Sequence, residues 1–422
     1  MFIFAVIGKI PPFREHHLAS LTHEVRTSVR IRLETLAGGY QGLNMALKLL
    51  GLITALAAIS VSSISVQAQS QETVTPEQVV LASTGAAAAP FALKLRPPSR
   101  GIYHAAFPAF GPAEDTVTRG HIDEFSRDIS GKDLTWAYFS DNWFNGISFP
   151  TKDAKTILAR GVIPFVRIMP RSNWEACSDR KYSLDKIIRG KFDKQLRRYA
   201  QDAAAFKAAL IMEFGTEVNG DWFPWSGACN GGGKRTGYGS PELADGPERF
   251  RDAYRHLIDI FREEGAHNVT WVVHYNGGGS PVETWNKHAA YYPGDDYIDW
   301  LGLSAYGAQT PAVMRSWNPQ FREVMDAAYR NVASVSRTKP IALLEFGVIE
   351  HKGKPQWIRN AFRDLSSGRY KRLKAVAWWH SDWRNADGSW SRMKIDSSLA
   401  SAKAYREGVA HAAFVTQAVI SR

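Results

Sequence analysis

Two glutamates at the ends of short apolar runs are the residues whose type and position best suit chemistry. Glu217 closely follows the run Leu210–Phe214, and Glu345 comes at the end of the run Ile341–Phe346. Such runs are typical of buried parallel strands, and in an eight-stranded barrel the strand ends of one face carry the reacting groups. A pair of carboxyl groups there could act as acid and nucleophile on a sugar. Either glutamate alone could equally cap a helix, but ionisable groups seldom lie at buried strand ends without a partner or a task.

The elements that would position these glutamates are strand-like runs that alternate with helix-like stretches. The strand-like runs are Gly101–Phe107, Leu134–Ser140, Val162–Ile168, Ala209–Phe214, Val269–Tyr275, Ile298–Ala305, Ile341–Phe346 and Ala375–His380. The helix-like stretches are Asp153–Arg160, Asp193–Phe206, Pro247–Glu264, Gln320–Ser334, Pro355–Leu365 and Leu399–Ala410. This alternation predicts an α/β fold with a parallel sheet, and eight strands close most simply into a (β/α)8 TIM barrel. Glu217 then follows the fourth strand and Glu345 ends the seventh.

The segment before the barrel has the pattern of an exported protein. A basic start at residues 45–48 leads into the apolar run Leu49–Val61, and a small-residue site ends at Ala68. These features are typical of a secretory signal peptide, and the apolar run is shorter than the roughly 18 to 20 residues that a membrane span needs. We expect a secreted or periplasmic mature chain that begins at Gln69 and keeps no membrane span.

The domain plan follows from this pattern. We expect an upstream extension at residues 1–44, the signal peptide at 45–68, a flexible linker at 69–100, the barrel at 101–411 and a C-terminal tail at 412–422. In this plan translation begins at Met45. The rival interpretation keeps residues 1–44 as a cytoplasmic tail and the apolar run as an anchor.

Charge and composition limit the classes of partner. The chain has 52 Lys and Arg against 41 Asp and Glu, a formal net charge of +11. This excess could attract an anionic polysaccharide, although charge spread along helices is more often only a solvated face. We see no nucleic-acid-binding motif and expect no nucleic-acid partner. The 12 His show no metal-ligand spacing, so we expect neither a catalytic metal nor another cofactor. The oligomeric state stays open.

The two cysteines, Cys177 and Cys229, are candidates for a disulfide. In an exported protein a lone pair without metal-ligand spacing favours a bridge. They fall in the loops after the third and fourth predicted strands, which are neighbours on one face of a barrel. The alternative is two separate buried thiols.

Several segments carry a resemblance to a known family. The run Thr216–Trp225 (Thr-Glu-Val-Asn-Gly-Asp-Trp-Phe-Pro-Trp) resembles the acid/base motif of glycoside hydrolase family 26, a β-mannanase-like family with catalytic glutamates on strands four and seven. The run Ile341–Gly347 resembles its nucleophile motif. Asp296–Tyr306 and Trp271–Asn276 are similar to its sixth-strand and fifth-strand segments.

The resemblance implies a retaining hydrolase of a β-linked polysaccharide. In that mechanism one carboxyl group gives a proton to the leaving oxygen and the other attacks the anomeric carbon. The resemblance gives Glu217 the role of acid/base and Glu345 that of nucleophile. It also implies that Tyr306 contacts Glu345.

Three positions depart from the family pattern. Thr216 stands where the family usually has His beside the acid/base, and Glu213 stands where it usually has Arg. His380 follows Trp379 where some mannanases have Arg. These departures leave the two-carboxylate chemistry in place but make the preference for mannan an open question.

Aromatic and polar side chains near the motifs are the candidates for sugar contacts. Pyranose rings pack on aromatic faces, and their hydroxyls need polar partners. The candidates are Trp222, Trp225, Asn219, Tyr306, His274, Asn276, Trp379 and Arg167. For any single Trp, packing in the core is the competing interpretation.

We therefore predict an endo-acting retaining hydrolase, with mannan or glucomannan as the first candidate substrate. Another β-glucan, a xylan or a bacterial exopolysaccharide is the alternative. From a different class, the chain could be a non-catalytic carbohydrate-binding barrel. The presence of both glutamates favours the enzyme.

Overall fold

A closed parallel barrel forms the body of the protein in a computed structural model that describes residues 93–175, 177 and 179–421. Its strands are β1 (Ile102–Phe107), β2 (Trp136–Asn142), β3 (Ile163–Met169), β4 (Leu210–Phe214), β5 (Val269–Asn276), β6 (Trp300–Tyr306), β7 (Ile341–Gly347) and β8 (Leu373–Trp379). Each strand pairs in parallel with the next, and β1 pairs with β8 to close the ring. The predicted (β/α)8 TIM barrel is confirmed, and each strand boundary lies within two residues of its predicted position.

The strands are apolar on both faces because one face packs on the helices and the other fills the barrel. All seven residues of β7, for example, are buried. Buried Arg and Glu side chains interrupt this pattern in three strands, at Arg167 of β3, Glu213 of β4 and Glu345 of β7. The position of these charges indicates where the barrel carries chemistry.

The helices surround the barrel. They are α1 (Arg119–Asp123), α2 (Thr151–Leu158), α3 (Leu184–Ile188), α4 (Asp193–Ala205), α5 (Asp245–Glu263), α6 (Pro311–Ser316), α7 (Phe321–Ala333), α8 (Lys354–Ser366) and α9 (Leu399–Val409). A π-helical turn at Glu124–Ser130 continues α1. In α5 the buried residues Phe250, Leu257 and Phe261 recur at helical spacing, so one apolar face lies on the barrel. The sequence did not predict α1, α3 and α6, which are short.

The expected linker and tail are wrong at their barrel-side ends. Residues 95–96 form a short strand that pairs antiparallel with Val419–Ile420, and Phe414–Val415 pairs in parallel with the start of β1. Leu95 is buried, its backbone N–H donates to the Thr270 hydroxyl, and its carbonyl accepts from the Trp300 indole. These segments are ordered because they cover apolar side chains at the N-terminal end of the barrel.

The expected signal peptide, the upstream extension and most of the expected linker lie outside the described residues. In the described part, no helix combines the length and the apolar character that a bilayer crossing requires.

We predict that Leu95→Ala lowers the free energy of unfolding by about 2–5 kcal/mol, the usual cost of truncating a fully buried leucine. Urea unfolding followed by circular dichroism measures it. Val419→Ala is the matched control, because Val419 lies in the paired strand but is 45% exposed. Equal, small effects of both substitutions would show that residues 93–96 contribute nothing to the barrel.

Candidate active site

A cleft opens at the C-terminal end of the barrel strands. Its lining residues are Glu114, Arg167, Glu217, Phe223, Tyr306, Glu345, Trp379 and Trp383. The structure therefore brings together five of the residues that the sequence singled out and adds Glu114, Phe223 and Trp383. Both glutamates of the predicted pair are among the five.

Glu217 reaches the cleft from the turn that follows β4. Its backbone has φ +48°, in the left-handed region that residues with a side chain seldom adopt. Gly215 precedes it with φ +67°, and a Cβ there would lie 2.6 Å from Cδ1 of Trp225. The turn is thus held in an uncommon conformation by packing, and strain of this kind concentrates at functional sites.

The carboxyl group of Glu217 is buried, and its pKa lies above the ordinary value of a glutamate. One oxygen, Oε2, accepts a hydrogen bond of 3.0 Å from the Trp222 indole N–H. Burial, and then the charge of Glu345, raise the pKa of Glu217 to about 7, while His274 and Arg167 act in the opposite direction. The raised pKa agrees with the acid role that the sequence predicts.

The carboxylate of Glu345 is oriented by one hydrogen bond and one ion pair. The Tyr306 hydroxyl donates to its Oε2 at 2.8 Å, as the family resemblance implies. The Nη2 atom of Arg167 lies 3.0 Å from its Oε1. Tyr306 ends β6 and Arg167 belongs to β3, so rigid strands on two sides of the barrel fix the position of Glu345.

Arg167 is the shared partner of three carboxylates. Besides Glu345 it contacts Glu213 through Nε at 2.9 Å and Glu114 through Nη1 at 3.2 Å. Burial alone would lower the pKa of Arg167, but Glu345, Glu114 and Glu213 outweigh it, and the pKa is raised. The guanidinium also lies over the rings of Tyr138 and Trp379. Arg167 therefore supplies a permanent positive charge in the lining of the cleft.

Glu213 and His274 form a second ion pair beneath the site. Nδ1 of His274 is 3.1 Å from Oε2 of Glu213. Burial acts to lower the pKa of His274, but the charge of Glu213 prevails and raises it. Burial acts to raise the pKa of Glu213, but His274 and Arg167 lower it. Glu213 is thus a paired group of the barrel interior and is not among the residues that line the cleft.

Three residues expected to contact sugar are instead buried supports of the loops. Asn219 is 0% exposed, and its amide donates to the carbonyl oxygens of Asn276 and Gly278. Trp225 is buried, stacks on Phe223 at 4.6 Å between ring centroids, and donates to the Thr216 carbonyl. We correct their expected role because a strand-end position in sequence does not reveal which side chains point inward.

His274 is the third of these buried residues. Its ring bonds with the Thr216 and Ser304 hydroxyls in addition to Glu213. Two other expected contacts also lie off the cleft lining. Asn276 is half-buried and donates to the Gly278 carbonyl, and Trp222 acts through its hydrogen bond to Glu217.

The three added residues come from loops. Glu114 follows β1, has φ +62°, and accepts a 2.6 Å hydrogen bond from the Ser140 hydroxyl. No motif in the sequence marks it. Phe223 lies inside the acid/base motif, between the two Trp that the sequence favoured. Trp383 lies on a hairpin formed by Asp382–Arg384 and Trp390–Arg392, and its place four residues after β8 was the available signal.

The predicted disulfide between Cys177 and Cys229 is confirmed. Their Cα atoms are 4.9 Å apart, and the bridge joins the loops after β3 and β4. It therefore stabilises the side of the cleft that carries Glu217 and Phe223. Among the described residues, no group of three His, Cys, Asp or Glu could hold a metal ion.

The protein is a (β/α)8 barrel with two buried carboxyl groups at the C-terminal ends of β4 and β7. The model of glycosyl hydrolase family 26 matches residues 182–352, a range that contains both carboxyl groups. The chain belongs to this family.

Relatives agree with the family assignment. The chain is 31% identical over 287 residues to Endoglucanase H of Acetivibrio thermocellus, covering 67% of this chain and 28% of that protein. It is 28% identical over 166 residues to a mannan endo-1,4-β-mannosidase of Bifidobacterium adolescentis, covering 37% of this chain and 15% of that protein. The chain thus spans less than a third of the length of either relative.

Solved structures support the fold. The Cellulomonas fimi endo-β-1,4-mannanase double mutant matches with a TM-score of 0.51 at 18% identity, over 75% of this chain and 72% of that one. A family 26 β-mannanase from Bacteroides ovatus matches with the same TM-score and identity, over 75% of this chain and 90% of that one.

We predict that Glu345→Gln lowers the pKa of Glu217 below its value of about 7, because the substitution removes the nearby negative charge and keeps the shape. Titration followed by carboxyl carbon NMR measures the shift, with the exposed Glu283→Gln as control. An unchanged pKa would mean that the two carboxyl groups do not interact.

The raised pKa of Glu217 in the wild type determines how the stability of the protein changes with pH. A carboxyl whose folded pKa is raised binds its proton more tightly in the folded state. The contribution of Glu217 to stability therefore falls as pH rises from about 4.5 to about 7. The free energy of unfolding of Glu217→Gln should therefore decline less over this pH range than that of the wild type.

Proposed function

We propose that the protein is a retaining glycoside hydrolase that cleaves an internal linkage of a β-linked polysaccharide. The observation that carries the proposal is a buried carboxyl group, with its pKa raised to about 7, that shares a cleft with a carboxylate held by Tyr306 and Arg167. One group is suited to donate a proton and the other to attack.

In the first step Glu345 attacks the anomeric carbon while Glu217 gives its proton to the leaving oxygen. The glycosidic bond breaks, and the sugar becomes esterified to Glu345. The negative charge of Glu345 is then consumed, which removes one of the two causes of the raised pKa of Glu217. Glu217 can now accept a proton from water, which attacks the same carbon and releases the sugar with its original configuration.

The aromatic lining suits a sugar ring. Trp379 is stacked on Phe107 at 4.3 Å, so its orientation is fixed from behind. Phe223 is fixed in the same way by Trp225. These two rings and Trp383 present apolar surfaces from β8 and from the loops after β4 and β8, where the C–H faces of a pyranose can pack.

Mannan is the first candidate substrate, in keeping with the relative that is named a mannan endo-1,4-β-mannosidase. A β-glucan is the second, and two observations favour it. Thr216 stands where the β-mannanase-like family usually has His beside the acid/base. It is 1% exposed and bonded to His274, so it is turned away from the cleft. The more similar relative is named an endoglucanase.

A polysaccharide panel tests the substrate class. Purified protein is incubated with mannan, glucomannan, mixed-linkage β-glucan, xylan and an acidic exopolysaccharide while new reducing ends are measured. Chain shortening in viscosity or size-exclusion traces reports endo action. Tight binding to one polysaccharide without new reducing ends would favour the non-catalytic alternative and contradict the proposal.

We predict that Glu345→Ala abolishes turnover with the fold intact, because the covalent step loses its nucleophile. Glu217→Ala should lower kcat on polysaccharide by about 10²–10⁴, the usual contribution of a general acid, and by less on an aryl glycoside whose leaving group needs no proton. The exposed Glu263→Ala is the control. Substantial activity of Glu345→Ala, with external nucleophiles excluded, would refute the assignment.

We also propose export through cleavage after Ala68. N-terminal sequencing of the exported protein should then begin at Gln69, and expression from Met45 should suffice for export. A start inside the barrel, or a chain from Met45 that stays in the cytoplasm, would contradict this part of the proposal.

A further inference from the structure

Lys354, at the first position of α8, is a fully buried lysine that the proposed mechanism does not use. Its ammonium group lies 2.7 Å from the carbonyl oxygen of Lys394 and 2.8 Å from the Ser397 hydroxyl. The carbonyl oxygens of Arg392 and Met393 are each at 3.3 Å. The ammonium group is thus surrounded by oxygen atoms of residues 392–397, and the Glu350 carboxylate lies 3.7 Å from it.

Placing a lysine there has an energetic cost. Burial lowers the pKa of Lys354 to about 8, although the carboxylates of Glu350, Asp382 and Asp396 act in the opposite direction. The group therefore stays protonated at neutral pH and can donate its three N–H bonds. A charge buried at such a cost indicates a demand on this part of the structure that an apolar side chain would not meet.

Lys354 contacts the return segment, residues 392–397, which leads from the loop after β8 back to the barrel. We call residues 380–398 the β8 loop. It begins directly after the cleft residue Trp379, forms the hairpin that carries Trp383, and returns to the barrel at residues 392–397. Within the hairpin Trp383 pairs with Ser391, so the position of the return sets the position of Trp383.

The return segment also touches the strands that carry the site. The Trp378 indole donates to the Met393 carbonyl, next to the cleft residue Trp379. Met393 packs against Gly347, two residues beyond Glu345, so closely that a Cβ at Gly347 would lie 2.8 Å from the sulfur. The β8 loop is therefore packed against the ends of both β7 and β8.

We propose that Lys354 is a positioning residue that holds the β8 loop against the ends of β7 and β8 and thereby sets the surface that Trp383 presents to the substrate. The inference rests on the proposed function only for the identity of the ligand. The claim that Lys354 holds the β8 loop in position does not depend on the proposed function. Lys354 touches neither the substrate nor a reacting group, so it acts on binding through Trp383.

A double-mutant cycle tests the proposal. Lys354→Met keeps the apolar stem and removes the charge, and Trp383→Ala removes the aromatic surface. Each should raise KM on a mannan or β-glucan oligosaccharide about tenfold while kcat changes less than threefold. In the Trp383→Ala background, Lys354→Met should raise KM little further, because both act through one contact. Independent effects that multiply, or an unchanged KM, would overturn the proposal.

Two controls separate positioning from general damage. Lys352→Met is the matched control, because Lys352 precedes the same helix and is exposed. If Lys354→Met does not fold, Ser397→Ala removes one acceptor of the ammonium group, together with the hydrogen bond from Ser397 to Glu350, and should raise KM in the same direction. An unchanged KM in Ser397→Ala would then count against the proposal.

Hydrogen–deuterium exchange keeps this test separate from that of the proposed function. Lys354→Met, or Ser397→Ala in its place, should speed exchange at residues 382–397 and leave β3 and β4 protected as in the wild type, with no ligand present. If the wild type cleaves and binds no polysaccharide but this local exchange increases, the proposed function fails and the positioning role stands. Unchanged or uniformly faster exchange would overturn the positioning role.

Discussion

The positive charge of Arg167 is the constraint on which the site depends. It lies inside the barrel with Glu345, Glu213 and Glu114 around it, where isolated carboxylates would be costly. One guanidinium cannot satisfy every acid nearby, and Glu217 receives no ion pair from it among the described contacts. Burial, and then the charge of Glu345, raise the pKa of Glu217 to about 7. In the proposed mechanism the ion pair with Arg167 suits Glu345 to the role of nucleophile, and the absence of such a pair among the described contacts suits Glu217 to the role of acid.

Much of the fold follows from local pattern. The barrel strands are apolar runs bounded by turn residues, and the main helices show a regular apolar face, so their positions could be predicted to within two residues. The short strands at Leu95–Arg96 and Phe414–Val415 could not be predicted in this way. They are too short to show a period, and they form because the end of the barrel offers apolar surface to cover.

The candidate site, like the fold, could be predicted from the sequence only in part. Glu217, Glu345 and Tyr306 occupy strand ends or motifs, and the structure places them together. Asn219 and Trp225 lie in the same motif but are buried, because their side chains donate hydrogen bonds to backbone carbonyl groups of the surrounding segments. Glu114 was missed because its loop carries no motif. It joins the site through Arg167, a contact between residues 53 positions apart that only the closed barrel creates.

Trapping the covalent intermediate tests the proposed role of Glu345 most directly. A 2-deoxy-2-fluoro glycoside with a good leaving group, matched to the preferred polysaccharide, is incubated with the protein, and the digested product is analysed by mass spectrometry. If Glu345 is the nucleophile, one sugar is added per chain, attached to Glu345 and absent from the Glu345→Ala variant. A label on another residue, or rapid hydrolysis with inverted configuration and no trapped sugar, would contradict it.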